Sequence, residues 1–199
     1  MTGKAPSLGL LCYRAMTRAV SPLVPLLLRR REARGKEDPA RLCERLGVPT
    51  QDRPEGPLVW LHGASVGESL SILPLVSRLL AAVPGLHVLV TTGTVTSAKL
   101  MADRLPAGAL HQYVPLDHPD YCARFLDHWR PDIFLWTGGD LKPALMVCAA
   151  RKDIPLYLVD ADETLLERPV WRWFPDLPRA VLGSFTEILA RSEAAARQV

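Results

Sequence analysis

The sequence predicts an α/β domain on a doubly wound parallel sheet, entered through a basic, amphipathic helical arm. Three observations carry that expectation. From Pro57 onward, short apolar runs alternate with helical patterns. The runs are continuous, as in HVLVTT at 87–92, which is the pattern of parallel strands buried on both faces. The residues after each run are small or polar, and such sheets bind ligands beyond the carboxyl ends of their strands.

The 199 residues, 48% hydrophobic and 23% charged, suit one well-buried globular domain. The net charge of +3 hides an asymmetry. Residues 1–53 carry 11 Lys and Arg against 5 Asp and Glu, whereas residues 54–199 carry 13 against 16. This divides the chain into a basic arm, 1–53, and a mildly acidic body, 54–199. A basic arm points to an anionic partner. Nucleic acid is disfavoured, because the arm is rich in Leu and Val and no nucleic-acid motif follows. Cys12, Cys43, Cys122 and Cys148 are widely spaced and form no C-x-x-C pair, which argues against a disulfide framework or a zinc site.

Within the arm, Leu8, Leu11, Cys12, Ala15, Met16, Ala19, Val20, Leu23, Val24 and Leu27 make one helical stripe, with Arg14 and Arg18 off it. Ser21-Pro22 reads as a cap and a first-turn proline, so two short helices are expected. The uncharged run 19–28 is about half of the roughly 20 residues needed to cross a bilayer. A helix lying in the membrane interface fits better, with Arg14, Arg18, Arg29, Arg30 and Arg31 meeting anionic lipid. The alternative is a helix packed on its own domain or on a second subunit. Residues 35–47 form a short helix opened by Asp38-Pro39 and closed by Gly47.

In the body, strands are expected at 58–62, 87–92, 109–114, 133–137, 156–159 and 187–190. Helices are expected at about 66–82, 96–105, 119–129 and 143–151. Ligand-facing residues then fall in 62–68, 91–97, 114–119, 137–142 and 159–163. Segment 62–68, HGASVGE, has small residues for a tight turn and an acid, Glu68, at a helix start. A capping box between Ser65 and Glu68 is the competing explanation, and it leaves Gly63, Ala64 and Gly67 unexplained. Structural roles suit the five histidines, which lack ligand spacing, and packing roles suit Trp129, Trp171 and Trp173, although the WRWFPDLP stretch could touch membrane. Thr91, Thr92, Thr94, Thr96 and Ser97 are hydroxyl donors, with a cap at Thr96 as the alternative role. Asp160, Asp162 and Glu163 lack the regular spacing of a calcium loop.

WLHGASVGES, TTGTVTSA, QYVPLD, RFLDHWRPD and ILARSEAAA, in this order, resemble the 3-deoxy-D-manno-octulosonic acid (Kdo) transferases of lipid A biosynthesis. The resemblance covers nearly the whole chain but only the N-terminal half of such an enzyme. It implies a GT-B glycosyltransferase of two Rossmann-like domains, this one binding the acceptor and the absent one binding CMP-Kdo, with no metal and no cofactor. It makes Glu68 the catalytic base. Acceptor contacts are then expected from His62, Gly63, Ser65, Gly67, Thr92, Asp140 and Lys142. The implied partners are a lipid A-type acceptor, an anionic membrane surface and a donor-domain partner or second copy. The implied location is the cytoplasmic face of the bacterial inner membrane, and the 199-residue chain alone is expected to be inactive. Two segments depart from the family pattern. Gly138-Gly139-Asp140-Leu141-Lys142-Pro143-Ala144 stands where the family has E-x-E-L-W-P-N, and Asp160-Ala161-Asp162-Glu163 stands where it has N-A-R. Those departures favour a second reading, a non-catalytic lipid-binding or regulatory relative.

Overall fold

The continuous apolar runs pair into one all-parallel sheet. Its strands are β1 (Leu58–Gly63), β2 (His87–Thr92), β3 (Ala109–Tyr113), β4 (Ile133–Thr137), β5 (Leu156–Ala161) and β6 (Glu187–Ala190). They lie in the order β3-β2-β1-β4-β5-β6 in a computed structural model that describes residues 7–138, 140–162, 165, 171 and 173–198. Glu163 and Gly139 lie outside the described residues. β1 is buried at every position, with Leu61 opposite Val90 on one side and Leu135 on the other. The chain starts in the middle of the sheet, winds outward through β2 and β3, and returns to the other side of β1 for β4 to β6. This is the doubly wound topology, and its order reverses between β1 and β4.

Helices α4 (Val66–Ala82) and α5 (Val95–Arg104) cover one face through Val59, Leu61, Ile72, Val76, Val88, Val90 and Met101. Helices α6 (Pro119–Trp129), α7 (Pro143–Arg151) and, beyond β5, α8 (Leu177–Leu182) cover the other. A last helix, α9 (Glu193–Gln198), follows β6. The second core is the aromatic one. Trp60 stacks on Phe134 with ring centroids 3.5 Å apart, and Phe125, Trp129 and Trp136 are fully buried around them. The expected limits of α4, α6, α7, β2, β4 and β6 coincide with the observed ones. α5 differs, because Thr94 rather than Thr96 is its cap and accepts the Ser97 amide at 3.1 Å.

The arm breaks where its proline predicts. α1 (Leu8–Val20) and α2 (Val24–Glu32) are joined by a 3₁₀ turn, Ser21–Leu23. α1 docks on the body through the buried Leu10 and a set of polar bonds. Ser7 Oγ and the Gly9 amide donate to Asp176 at 2.8 and 3.0 Å, Tyr13 Oη donates to Asp117 at 2.6 Å, and Arg18 donates to Asp120 at 3.1 Å. The apolar stripe points the other way, with Leu8 71% and Leu23 61% exposed. Packing on its own domain therefore accounts for the polar face of α1, and the apolar stripe is left exposed.

Residues 36–53 close the β3 edge. An edge strand carries backbone groups that its sheet leaves unpaired. Here Glu44 accepts the Tyr113 amide at 2.7 Å, and the His111 carbonyl accepts from Arg41 at 2.9 Å and Gln51 at 3.0 Å. Glu44 sits on a short helix, α3 (Leu42–Arg45), which follows the 3₁₀ turn Pro39–Arg41. Arg45 is buried and donates to Glu37, to the Val114 carbonyl and to the Gly93 carbonyl. The guanidinium groups of Arg41 and Arg45 lie 4.8 and 4.5 Å from the Tyr113 ring centre. Gly47 ends the segment at φ +76°, pressed on the Tyr121 carbonyl where a Cβ has no room. The division at residue 53 is thus a change of composition that the packing contacts cross.

Candidate active-site crevice

The β1–α4 turn and the β4–α7 loop meet where the strand order reverses. Ser65 caps α4, accepting the Glu68 amide at 3.2 Å, and Glu68 Oε2 accepts the Ser65 amide at 2.9 Å. The capping box is therefore complete. The other oxygen, Oε1, is turned across the crevice against Gly138 at the end of β4. The cap thus engages one oxygen and leaves the other facing Gly138. Gly138 has φ +76°, and a Cβ there would run into the Glu68 carboxylate.

The walls are fixed from both strands. Thr137 Oγ1 donates to the His62 carbonyl at 2.6 Å, and Ser69 Oγ donates to the Gly63 carbonyl at 3.2 Å. Gly63 is needed for close approach, since a Cβ would lie 3.0 Å from the Ser69 amide. Gly67 is exposed and has open space around it. Ser65 is exposed as well, with its hydroxyl engaged in the cap.

Two expected acceptor contacts are turned inward instead. Thr92 is fully buried and bonds His111 Nε2 at 2.9 Å, because its side chain falls on a covered face of the sheet. His62 is also fully buried. It stacks on Trp136 with centroids 3.8 Å apart, and its Nδ1 lies 2.9 Å from Thr91 Oγ1. Thr91 Oγ1 also accepts from the Trp60 indole at 2.8 Å, and the other ring nitrogen of His62 is Nε2. That Nε2 is buried without a hydrogen-bond partner among the described residues. Burial, followed by the nearby Lys142 ammonium, holds His62 well below the usual histidine range, so the ring is neutral.

Lys142 is largely covered, and its Nζ lies 3.9 Å from Asp140, which is exposed. Sequence reasoning missed the residue that organises this side, Asp117. It accepts the Ala144 and Leu145 amides at the start of α7, at 3.2 and 3.0 Å, together with the Tyr13 hydroxyl. Burial pushes its carboxyl up, opposed by Lys142 and these hydrogen bonds. QYVPLD contains Asp117, but no local pattern links it to α7 or to the arm. At β5, Asp160 adopts φ +64° and is gripped by both donors of the Arg191 fork at 2.7 and 2.6 Å. This hydrogen bonding holds Asp160 below the usual carboxylate range.

The five arginines expected at the membrane divide. Arg29 and Arg30 are exposed at the end of α2, whereas Arg31 turns inward to Glu37 at 2.6 Å. Arg14 and Arg18 lie on the docking side of α1 rather than beside its apolar stripe. Trp129 and Trp171 pack inside, whereas Trp173 is 82% exposed next to Phe174, which packs edge-on against Tyr13. No described helix is long and apolar enough to cross a membrane.

A crevice at the reversal point of a 3-2-1-4-5-6 sheet defines a Rossmann-like domain of the kind that builds GT-B glycosyltransferases. The fold is shared with a UDP-GlcNAc 2-epimerase from Neisseria meningitidis at a TM-score of 0.50 and 14% identity, over 71% of this chain and 42% of that one. A family model described as 3-deoxy-D-manno-octulosonic-acid transferase (kdotransferase) matches residues 40–199. A probable mitochondrial 3-deoxy-D-manno-octulosonic acid transferase of Arabidopsis thaliana is 40% identical over 149 residues, 75% of this chain and 33% of that protein. Enzymes of that name from Rickettsia bellii and Bordetella pertussis are 33% and 30% identical, over 80% and 91% of this chain. The chain belongs to the Kdo transferase family. It spans 33% to 44% of the length of these three relatives, their N-terminal part.

Proposed function

We propose that this chain is the acceptor-binding half of a Kdo transferase, with Glu68 as the general base. The observation that carries the reading is the split use of the Glu68 carboxylate, one oxygen in the cap and the other turned across to Gly138 at the end of β4. In the proposed reaction an acceptor sugar hydroxyl gives its proton to Glu68. The hydroxyl oxygen bonds to the anomeric carbon of Kdo with inversion, and CMP leaves with the bonding pair. The donor, CMP-Kdo, belongs to a second domain, and the acceptor is of lipid A type. The exposed stripe of α1 together with Arg29 and Arg30 supports peripheral attachment to an anionic membrane. We place that membrane at the cytoplasmic face of the bacterial inner membrane.

The test joins this chain to the donor domain of a Kdo transferase and compares it with Glu68→Gln. Glutamine keeps the capping box, so a folding defect is not expected. The expected loss in turnover is about 10²- to 10⁴-fold, the range for a general base. Full activity in the variant rules Glu68 out as the base. The second reading, a non-catalytic lipid-binding relative, is favoured by the missing acid at Gly138 and by the Arg191–Asp160 pair at β5. An inactive parent chimera that still binds acceptor would select it.

A further inference from the structure

The inward face of α1 and the helices α6 and α7 enclose a cavity of about 210 Å³, built apart from the Glu68 crevice. Arg14, Arg18 and Arg151 line it, and Asp120 is the one carboxylate among its lining residues. Asp120 is engaged by Arg18 at 3.1 Å. Among the described residues, neither Arg14 nor Arg151 has an ion-pair partner. The remaining wall is short or apolar, with Ala123, Ala144, Val147 and Cys148. Burial, then the repulsion of Arg151 and Arg18, pulls the Arg14 guanidinium below its usual range, the mark of a cluster short of negative charge.

We propose that this cavity is a phosphate-binding site in which Arg14, Arg18 and Arg151 hold the oxygens of a phosphomonoester. Guanidinium forks match phosphate geometry and stay charged when partly desolvated. The volume lies below the roughly 300 Å³ at which drug-sized ligand pockets begin, which suits a single small anionic group. Two sources supply that group, inorganic phosphate and the head group of an anionic lipid. The site stands on the arginine cluster and does not depend on Glu68 acting as a base.

The test follows thermal unfolding of the full chain against inorganic phosphate at constant ionic strength. Saturable stabilisation is expected. Arg14→Gln/Arg151→Gln should weaken the response by roughly tenfold or more, the loss expected for charged hydrogen bonds. Arg151→Gln alone changes an exposed residue, which keeps the test valid if the double variant folds poorly. Arg104→Gln, an exposed change at the end of α5 away from the cavity, should respond as the parent does. A non-saturating response, or equal affinity in the parent and in the Arg151 variants, overturns the proposal. Flotation with phosphatidylcholine vesicles carrying phosphatidic acid or phosphatidylglycerol at matched charge then separates the sources. A preference for phosphatidic acid that Arg151→Gln abolishes assigns a lipid head group, and saturable phosphate binding without that preference assigns free phosphate.

Discussion

Helices α1 and α6 are both amphipathic and pack against one another, yet they face opposite ways. α6 buries Cys122, Phe125, Leu126 and Trp129 in the aromatic core. α1 turns Ser7, Gly9, Tyr13 and Arg18 inward to three aspartates and leaves Leu8, Leu11, Met16 and Val20 outside. An apolar stripe on a helix marks a surface that prefers to leave water. It does not say whether that surface belongs to the core or to another body. In α6 the core takes it. In α1 hydrogen bonds and the buried Leu10 do the docking, and the stripe stays exposed.

The largest expected effect breaks this comparison directly. Phe125→Ala should destabilise the fold by about 3–5 kcal/mol in urea unfolding. The triple change Leu8→Ser, Leu11→Ser and Met16→Ser should alter stability by roughly 0.5 kcal/mol per site or less, as for surface positions. The same triple variant should lose flotation with anionic vesicles, and unchanged flotation would remove the membrane role of the stripe.

Acid sharpens the body's side of the contrast. Burial, then Arg41 and Arg45, lowers His111 from 6.5 to about 3. The unfolded chain therefore takes up a proton near pH 6.5 that the folded chain refuses, and stability falls as pH drops from 6.5 toward 3. Between pH 6.5 and 5 this amounts to about 2 kcal/mol. His62 is shifted in the same direction, so His111→Gln should reduce the slope of stability against pH without abolishing it. An unchanged slope would mean that His111 is not held neutral by the fold.

The smallest effect concerns the arm's polar face. Tyr13→Phe removes the hydroxyl from Asp117 and should cost roughly 1–2 kcal/mol, because a buried carboxylate loses a donor. A thermal midpoint equal to the parent's would show that the α7 amides alone suffice for Asp117.

Much of the sheet was legible in the residues. HVLVTT, IFLWT and EILA mark strands whose ends are where the patterns stop, and Ser21-Pro22 locates the break in the arm. Ser65 and Glu68 disclose their capping box through spacing alone. Periodicity identifies which residues share a helix face but not which way that face turns, so Arg14 and Arg18 were expected at lipid and lie against α6 and α7. Thr92 and His62 read as edge donors, but alternation along a strand sends their side chains into covered faces. The Glu37–Arg45 and Glu44–Arg41 pairs look like ordinary surface charge along the chain. Their burial depends on β3, about 70 residues away, whose edge they close. The Glu68–Gly138 contact is likewise set by the reversal of strand order, which no local window contains.

The bonds of Ser7 and Gly9 to Asp176 join residues 169 and 167 positions apart. During synthesis at roughly 5–20 residues per second, α1 leaves the ribosome well before its acceptor exists. Its polar face must wait for the rest of the domain, whereas its leucines are uncovered from the start. The stripe can therefore meet another surface before the domain has folded, and the polar anchoring of α1 is among the last contacts to form.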